Sequence, residues 1–122
     1  MDEKGVFLMS ELNRITDDNF DETVEGSDVP VLVFFTAAWS RPDQKCLPLV
    51  QQLKDDYQGK VLFCAIDVDE NPKTAAKFGI RGVPTVVIFK RGPGIEVVAE
   101  KVGATPKAQY AQLIDSIFPN PP

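Results

Sequence analysis

The residues with chemistry to offer gather in one stretch, Trp39-Ser40-Arg41-Pro42-Asp43-Gln44-Lys45-Cys46. Ser40 stands three residues ahead of Asp43, and Cys46 three residues beyond it. A serine hydroxyl becomes a nucleophile only beside a base, usually an imidazole oriented by a carboxylate. The chain contains no His. Asp43 lies on the same helical turn as Ser40 and makes a poor base for it. A Ser40-based hydrolase is therefore set aside. What Ser-x-x-Asp does well is start a helix. Ser40 can accept from the amide of Asp43, and Asp43 can reach back to the amide of Ser40, while the positive end of the helix dipole favours the carboxylate.

The two cysteines, Cys46 and Cys64, match neither a zinc spacing nor a disulfide framework. Cys46 falls in an apolar helical stripe, which argues for packing. Arg41 and Lys45 nearby leave open a reactive thiol that forms mixed disulfides. Cys64 sits within an apolar run and reads as core. A Cys46–Cys64 disulfide requires suitable side-chain geometry. No metal site and no cofactor are expected.

Several elements must position this stretch. Val31 to Phe35 is an unbroken apolar run, the signature of a strand buried on both faces. Ser40 to about Gln58 reads as a helix with Cys46, Leu49, Val50, Leu53 and Tyr57 on one face and a kink expected at Pro48. Glu11–Ile15 suits a short edge strand. Thr16 is expected to cap a helix bearing Asp17 and Asp18 in its first turn. Val61 to Ile66 and Thr85 to Phe89 are further strands. Asn71-Pro72 and Thr105-Pro106 look like caps followed by Pro at the first helical position. Arg91-Gly92-Pro93-Gly94 turns the chain so that residues 95–101 return antiparallel. The order is β-α-β-α-β-α-β-β-α, a parallel half joined to an antiparallel hairpin with helices on both faces.

A chain of 122 residues suits one domain. It is divided here into a flexible lead-in (1–10), a folded domain (11–118) and a Pro-rich tail (119–122). The net charge of -5 argues against nucleic acid as a main partner. No apolar run is long enough for a membrane span, and residues 1–9 do not read as a signal peptide. A cytoplasmic setting is expected.

Taken together these motifs resemble the thioredoxin family over nearly the whole chain. The residues that carry the resemblance are the apolar strand leading into Trp39, then Asp67-Val68-Asp69-Glu70-Asn71-Pro72, Phe78-Gly79-Ile80-Arg81-Gly82-Val83-Pro84-Thr85, and Lys101-Val102-Gly103. The resemblance implies a thioredoxin fold: a mixed α/β sheet of about five strands, four helices on its two faces, and a cis-proline loop at Val83-Pro84. It also implies a groove for an extended protein or peptide partner at Trp39, Arg41, Val83, Pro84 and Gly103. The family's Trp-Cys-Gly-Pro-Cys reads Trp39-Ser40-Arg41-Pro42-Asp43 here, a degenerate motif. The family's buried Asp and its Lys partner correspond to Phe34 and Ala65. Because both active-site cysteines are absent, dithiol–disulfide oxidoreductase activity is not expected. The expectation is a redox-inactive protein that binds proteins as an adaptor, chaperone-like or assembly factor. The alternatives are a one-cysteine redox protein using Cys46 and a thioredoxin variant with its site erased by engineering.

Overall fold

In the computed structural model, residues 12–118 are described; the expected lead-in and tail lie outside them. The elements are β1 (Asn13–Arg14), α1 (Phe20–Glu25), β2 (Val31–Thr36), α2 (Arg41–Asp56), β3 (Leu62–Asp67), α3 (Pro72–Lys77), β4 (Thr85–Phe89), β5 (Val97–Val102) and α4 (Lys107–Asp115). The order agrees with the sequence reading. The strands form one sheet in the order β1-β3-β2-β4-β5, in which β1, β3, β2 and β5 run one way and β4 runs antiparallel to its neighbours β2 and β5.

The apolar runs lack alternation because both faces of the sheet are covered. Successive side chains on a strand point to opposite faces. Leu32 and Phe34 enter one core cluster with Cys46, Val50 and Leu53 of α2 and Tyr110 and Ile114 of α4. Val31, Val33 and Phe35 enter the other with Phe20 and Val24 of α1 and with Phe78. Burying such a side chain fully contributes about 1.5–3 kcal/mol each, so β2 anchors both layers. Leu12 and Ile15 flank β1 and enter opposite clusters, which holds this short edge strand in place. Among the described residues no helix is long and apolar enough to cross a membrane.

Several local expectations are corrected. α1 begins at Phe20, not after Thr16. Thr16 and Asn19 instead close a turn, each side-chain oxygen accepting from the other's amide. Asp17 caps a different helix. Its carboxylate accepts from the amides of Lys73 and Thr74 and from the Thr74 hydroxyl, at the start of α3. Partial burial would raise its pKa, but the Thr74 and Lys73 bonds and the Lys73 charge outweigh that and hold it below the usual carboxylate value. Asn71, expected to cap α3, instead accepts from the Asp17 amide and donates to the Asp67 carbonyl. α4 starts one residue later than expected, with Pro106 in the cap position. In α2, which runs on through Pro48, Leu47 is buried and Leu49 only half-buried. At 3.6 residues per turn Leu49 lies nearer the stripe's centre than Leu47, so the burial of Leu47 follows from the position of the core cluster and not from periodicity.

Candidate functional site

Four strand ends meet at one end of the sheet. Thr36 closes β2 opposite Asp67, which closes β3. Phe35 pairs with Thr85, the first residue of β4, and Thr85 pairs with Val102, the last of β5. The loops continuing from these ends therefore converge: Ala37 to Ser40, Val68 to Asn71, Gly82 to Pro84, and Gly103. The Val83–Pro84 peptide is cis. The Gly103 amide donates to the Pro84 carbonyl at 2.8 Å, and the Thr85 hydroxyl to the Gly82 carbonyl at 2.8 Å. Gly103 has φ +88°, a left-handed conformation that suits glycine. Among the described residues the N–H and C=O of Val83 have no hydrogen-bond partner.

Trp39 is 69% exposed, the most exposed large apolar side chain described. Its indole N–H donates to an Asp69 carboxylate oxygen at 2.6 Å. Asp67 in turn accepts from the amides of Asp69 and Glu70, at 2.8 and 3.1 Å, and fixes that loop. The indole is thus held on the surface by a tether anchored at the end of β3. Of the expected groove residues, Arg41 is exposed, Val83 and Gly103 are half-buried, and Pro84 is buried in the loop that presents Val83.

The motif positions turn inward. Ser40 is the N-cap of α2 and accepts from the Asp43 amide. That half of the capping box is present. The other half is not, because the Ser40 amide already donates to the Ala37 carbonyl at 3.0 Å. The Asp43 carboxylate instead points beneath the loop. One oxygen accepts from the Ser40 hydroxyl at 2.7 Å; the other accepts from the Ala37 amide at 3.0 Å and from the Thr36 hydroxyl. Ser40 and Asp43 are each 3% exposed. Burying a carboxylate is costly unless it is hydrogen-bonded. Here its donors and the positive end of α2 meet that need. Sequence reasoning missed Thr36, Asp67 and Asp69. The signals were present: a hydroxyl closing an apolar run, and Asp-x-Asp directly after a buried strand.

Phe34 and Ala65 sit side by side in register, fully buried, in the cluster that holds Cys46. Cys46 is 2% exposed, and Cys64 lies in the cluster on the other face of the sheet. The sheet between them excludes the disulfide considered from sequence, and both are free. Burial pushes the Cys64 thiol up to about 12. Beside Cys46 sits the Tyr110 hydroxyl, whose own pKa is raised by burial and by its bond to that thiol. The core side of α2 covers Cys46, in keeping with its place in the apolar stripe and against the reactive thiol that Arg41 and Lys45 left open. In a thiol-labelling experiment with 5,5′-dithiobis(2-nitrobenzoate), both cysteines are expected to stay unmodified in the native protein and to react fully in denaturant. Fast native labelling of Cys46 would contradict this burial.

Dithiol exchange uses a thiolate to attack and a second thiol to resolve, and positions 40 and 43 supply a hydroxyl and a carboxylate. What the site offers instead is a surface: a tethered indole, a cis-proline loop with unused backbone groups, and a glycine beside it.

The Thioredoxin family model matches residues 11–116. The chain is 40% identical over 107 residues to "Thioredoxin 1" of Nostoc sp., covering 88% of this chain and 97% of that protein. It is equally similar, with the same coverage, to "Thioredoxin" of Haemophilus influenzae. It is 45% identical over 100 residues to "Thioredoxin" of Chlorobaculum thiosulfatiphilum, covering 82% of this chain and 90% of that protein. These likenesses overturn the expectation of a redox-inactive adaptor, chaperone-like or assembly factor. At 40–45% identity across nearly the whole domain, the proteins it matches are thioredoxins by name. The fold, the cis Val83–Pro84 loop and the matched relatives agree: the chain belongs to the thioredoxin family.

Proposed function

We propose that the chain takes protein substrates as its family does, as an extended segment laid across Trp39, Val83, Pro84 and Gly103 in the cytoplasm. The observation that supports this most is the convergence of the loops after β2, before β4 and after β5 at one end of the sheet. An extended chain can pair with the unused N–H and C=O of Val83 as a strand pairs with a sheet edge. Trp39 gives it an apolar wall of the kind that dominates protein contacts. Arg41, exposed at the first position of α2, adds positive charge to the rim.

Trp39 is the only tryptophan, so its emission reports on this face alone. Titration with an extended peptide carrying one cysteine among apolar residues is expected to shift Trp39 emission to the blue and to saturate. Val83→Asp, which sets a charge against the peptide backbone, is expected to weaken binding about tenfold or more. Emission that does not respond, or a variant that binds like the parent, would count against the proposal.

A further inference from the structure

The opposite end of the sheet holds a hollow of about 660 Å³, formed where Pro30 enters β2, Lys60 precedes β3 and Lys90 and Arg91 follow β4. Its apolar lining includes Val98 and Phe118. The register of β4 and β5 slips between Ile88 and Phe89, which pair with Ala99 and Val97, so Val98 is the extra residue of a β-bulge. A bulge re-aims a side chain, and Val98 lines the hollow while remaining 42% exposed. Lys60, Lys90 and Arg91 are all exposed, and among the described residues none of them is in an ion pair. Asp28 is the one carboxylate in the lining. A chain of net charge -5 thus gathers three unpaired cations around one apolar floor.

The spacing of these cations narrows what would fit. β2 lies between β3 and β4. Neighbouring strands are about 4.8 Å apart, so Lys60 stands on one side of Pro30 and Lys90 with Arg91 on the other, their backbones roughly 10 Å apart. An extended chain advances about 3.3 Å per residue. Side chains on one face of an extended chain recur every second residue, so carboxylates four residues apart stand about 13 Å apart, a span the long cationic side chains can meet, and the side chain midway between them faces the floor. A nucleic acid would meet the repulsion of the net negative charge and make no use of that floor.

We propose that this hollow docks an acidic segment of a partner protein, of the pattern acidic-x-apolar-x-acidic. Its central apolar side chain enters between Pro30, Val98 and Phe118, and its carboxylates meet Lys60 on one side and Lys90 with Arg91 on the other. The site is at the far end of the sheet from Trp39 and does not depend on the function proposed above.

The test is fluorescence anisotropy on the full chain with a labelled, end-capped Glu-Ser-Phe-Ser-Glu peptide. Saturable binding is expected, weakened by added salt and reduced about tenfold by Lys60→Glu with Arg91→Glu. Trp39→Ala is expected to leave it unchanged. Both charge-reversed positions are exposed, so the thermal midpoint of that variant should match the parent and separate lost binding from lost fold. The proposal is overturned if the peptide does not bind, if Lys-Ser-Phe-Ser-Lys binds as well, if the charge-reversed variant binds like the parent, or if Trp39→Ala abolishes binding.

Discussion

Ser40→Cys combined with Asp43→Cys is expected to raise dithiothreitol-driven insulin reduction over the parent by on the order of a hundredfold or more, because it supplies the thiolate and the resolving thiol that exchange requires. The frame for a thiolate is already built. Position 40 is the N-cap of a sixteen-residue helix, where unpaired amides and the helix dipole lower a thiol's pKa from its free value of about 8.5. Position 43 lies one turn further, buried behind it, where a resolving sulfur would be protected. The cis Val83–Pro84 loop and Trp39 are in place to hold the substrate. Phe34 and Ala65 provide no group to move a proton beneath position 43. Ser40→Cys alone has no partner to release the substrate and should accumulate a mixed disulfide detectable by mass spectrometry. A double variant no faster than the parent would mean that this end of the sheet does not present substrate disulfides to position 40.

Asp43→Ala is expected to destabilise the protein by about 3 kcal/mol. The loss comes from what the carboxylate leaves behind. The Ala37 amide and the hydroxyls of Thr36 and Ser40 all point at it, and Thr36, Ala37 and Ser40 are themselves buried. A buried donor without an acceptor costs about 1–3 kcal/mol. Asp43→Asn should cost less, about 1 kcal/mol, because one amide oxygen still accepts and the hydroxyls can rotate to receive the new N–H groups. Urea unfolding gives the measurement: the midpoint should fall with little change in slope. An Asp43→Ala variant as stable as the parent would contradict the assigned network. The same reasoning makes the double-cysteine variant less stable than the parent, so its activity should be measured well below its own unfolding midpoint.

The fold was legible because the strongest signals are collective. Val31 to Phe35 could only be a strand covered on both faces, and α2 carried its N-cap and its stripe together. The order of elements followed from such segments. The sequence was misleading where one side chain had several partners to choose from. Asp17 looked like a residue of its own helix, yet it reaches across to α3 over a separation of more than fifty residues, a contact that no local spacing encodes. Asp43 looked like the second half of a capping box, but its target amide was already bonded to Ala37, which only the loop's path reveals. Cys46 was read correctly as part of an apolar stripe, and burial decided against the charges of Arg41 and Lys45. The widest departure concerned function. Ser40 and Asp43 are two positions, while the thioredoxin likeness runs through more than a hundred residues. Reading function from those two positions gave them more weight than the rest of the chain.

The measurement closest to the central claim is amide chemical-shift mapping of the native chain with the cysteine-bearing extended peptide. If the face of Trp39, Val83, Pro84 and Gly103 receives substrate, the shifts should concentrate at residues 36–40, 82–85 and 102–104, with the Val83 amide among the largest. Shifts spread evenly over the surface, or confined to the opposite end of the sheet, would contradict it.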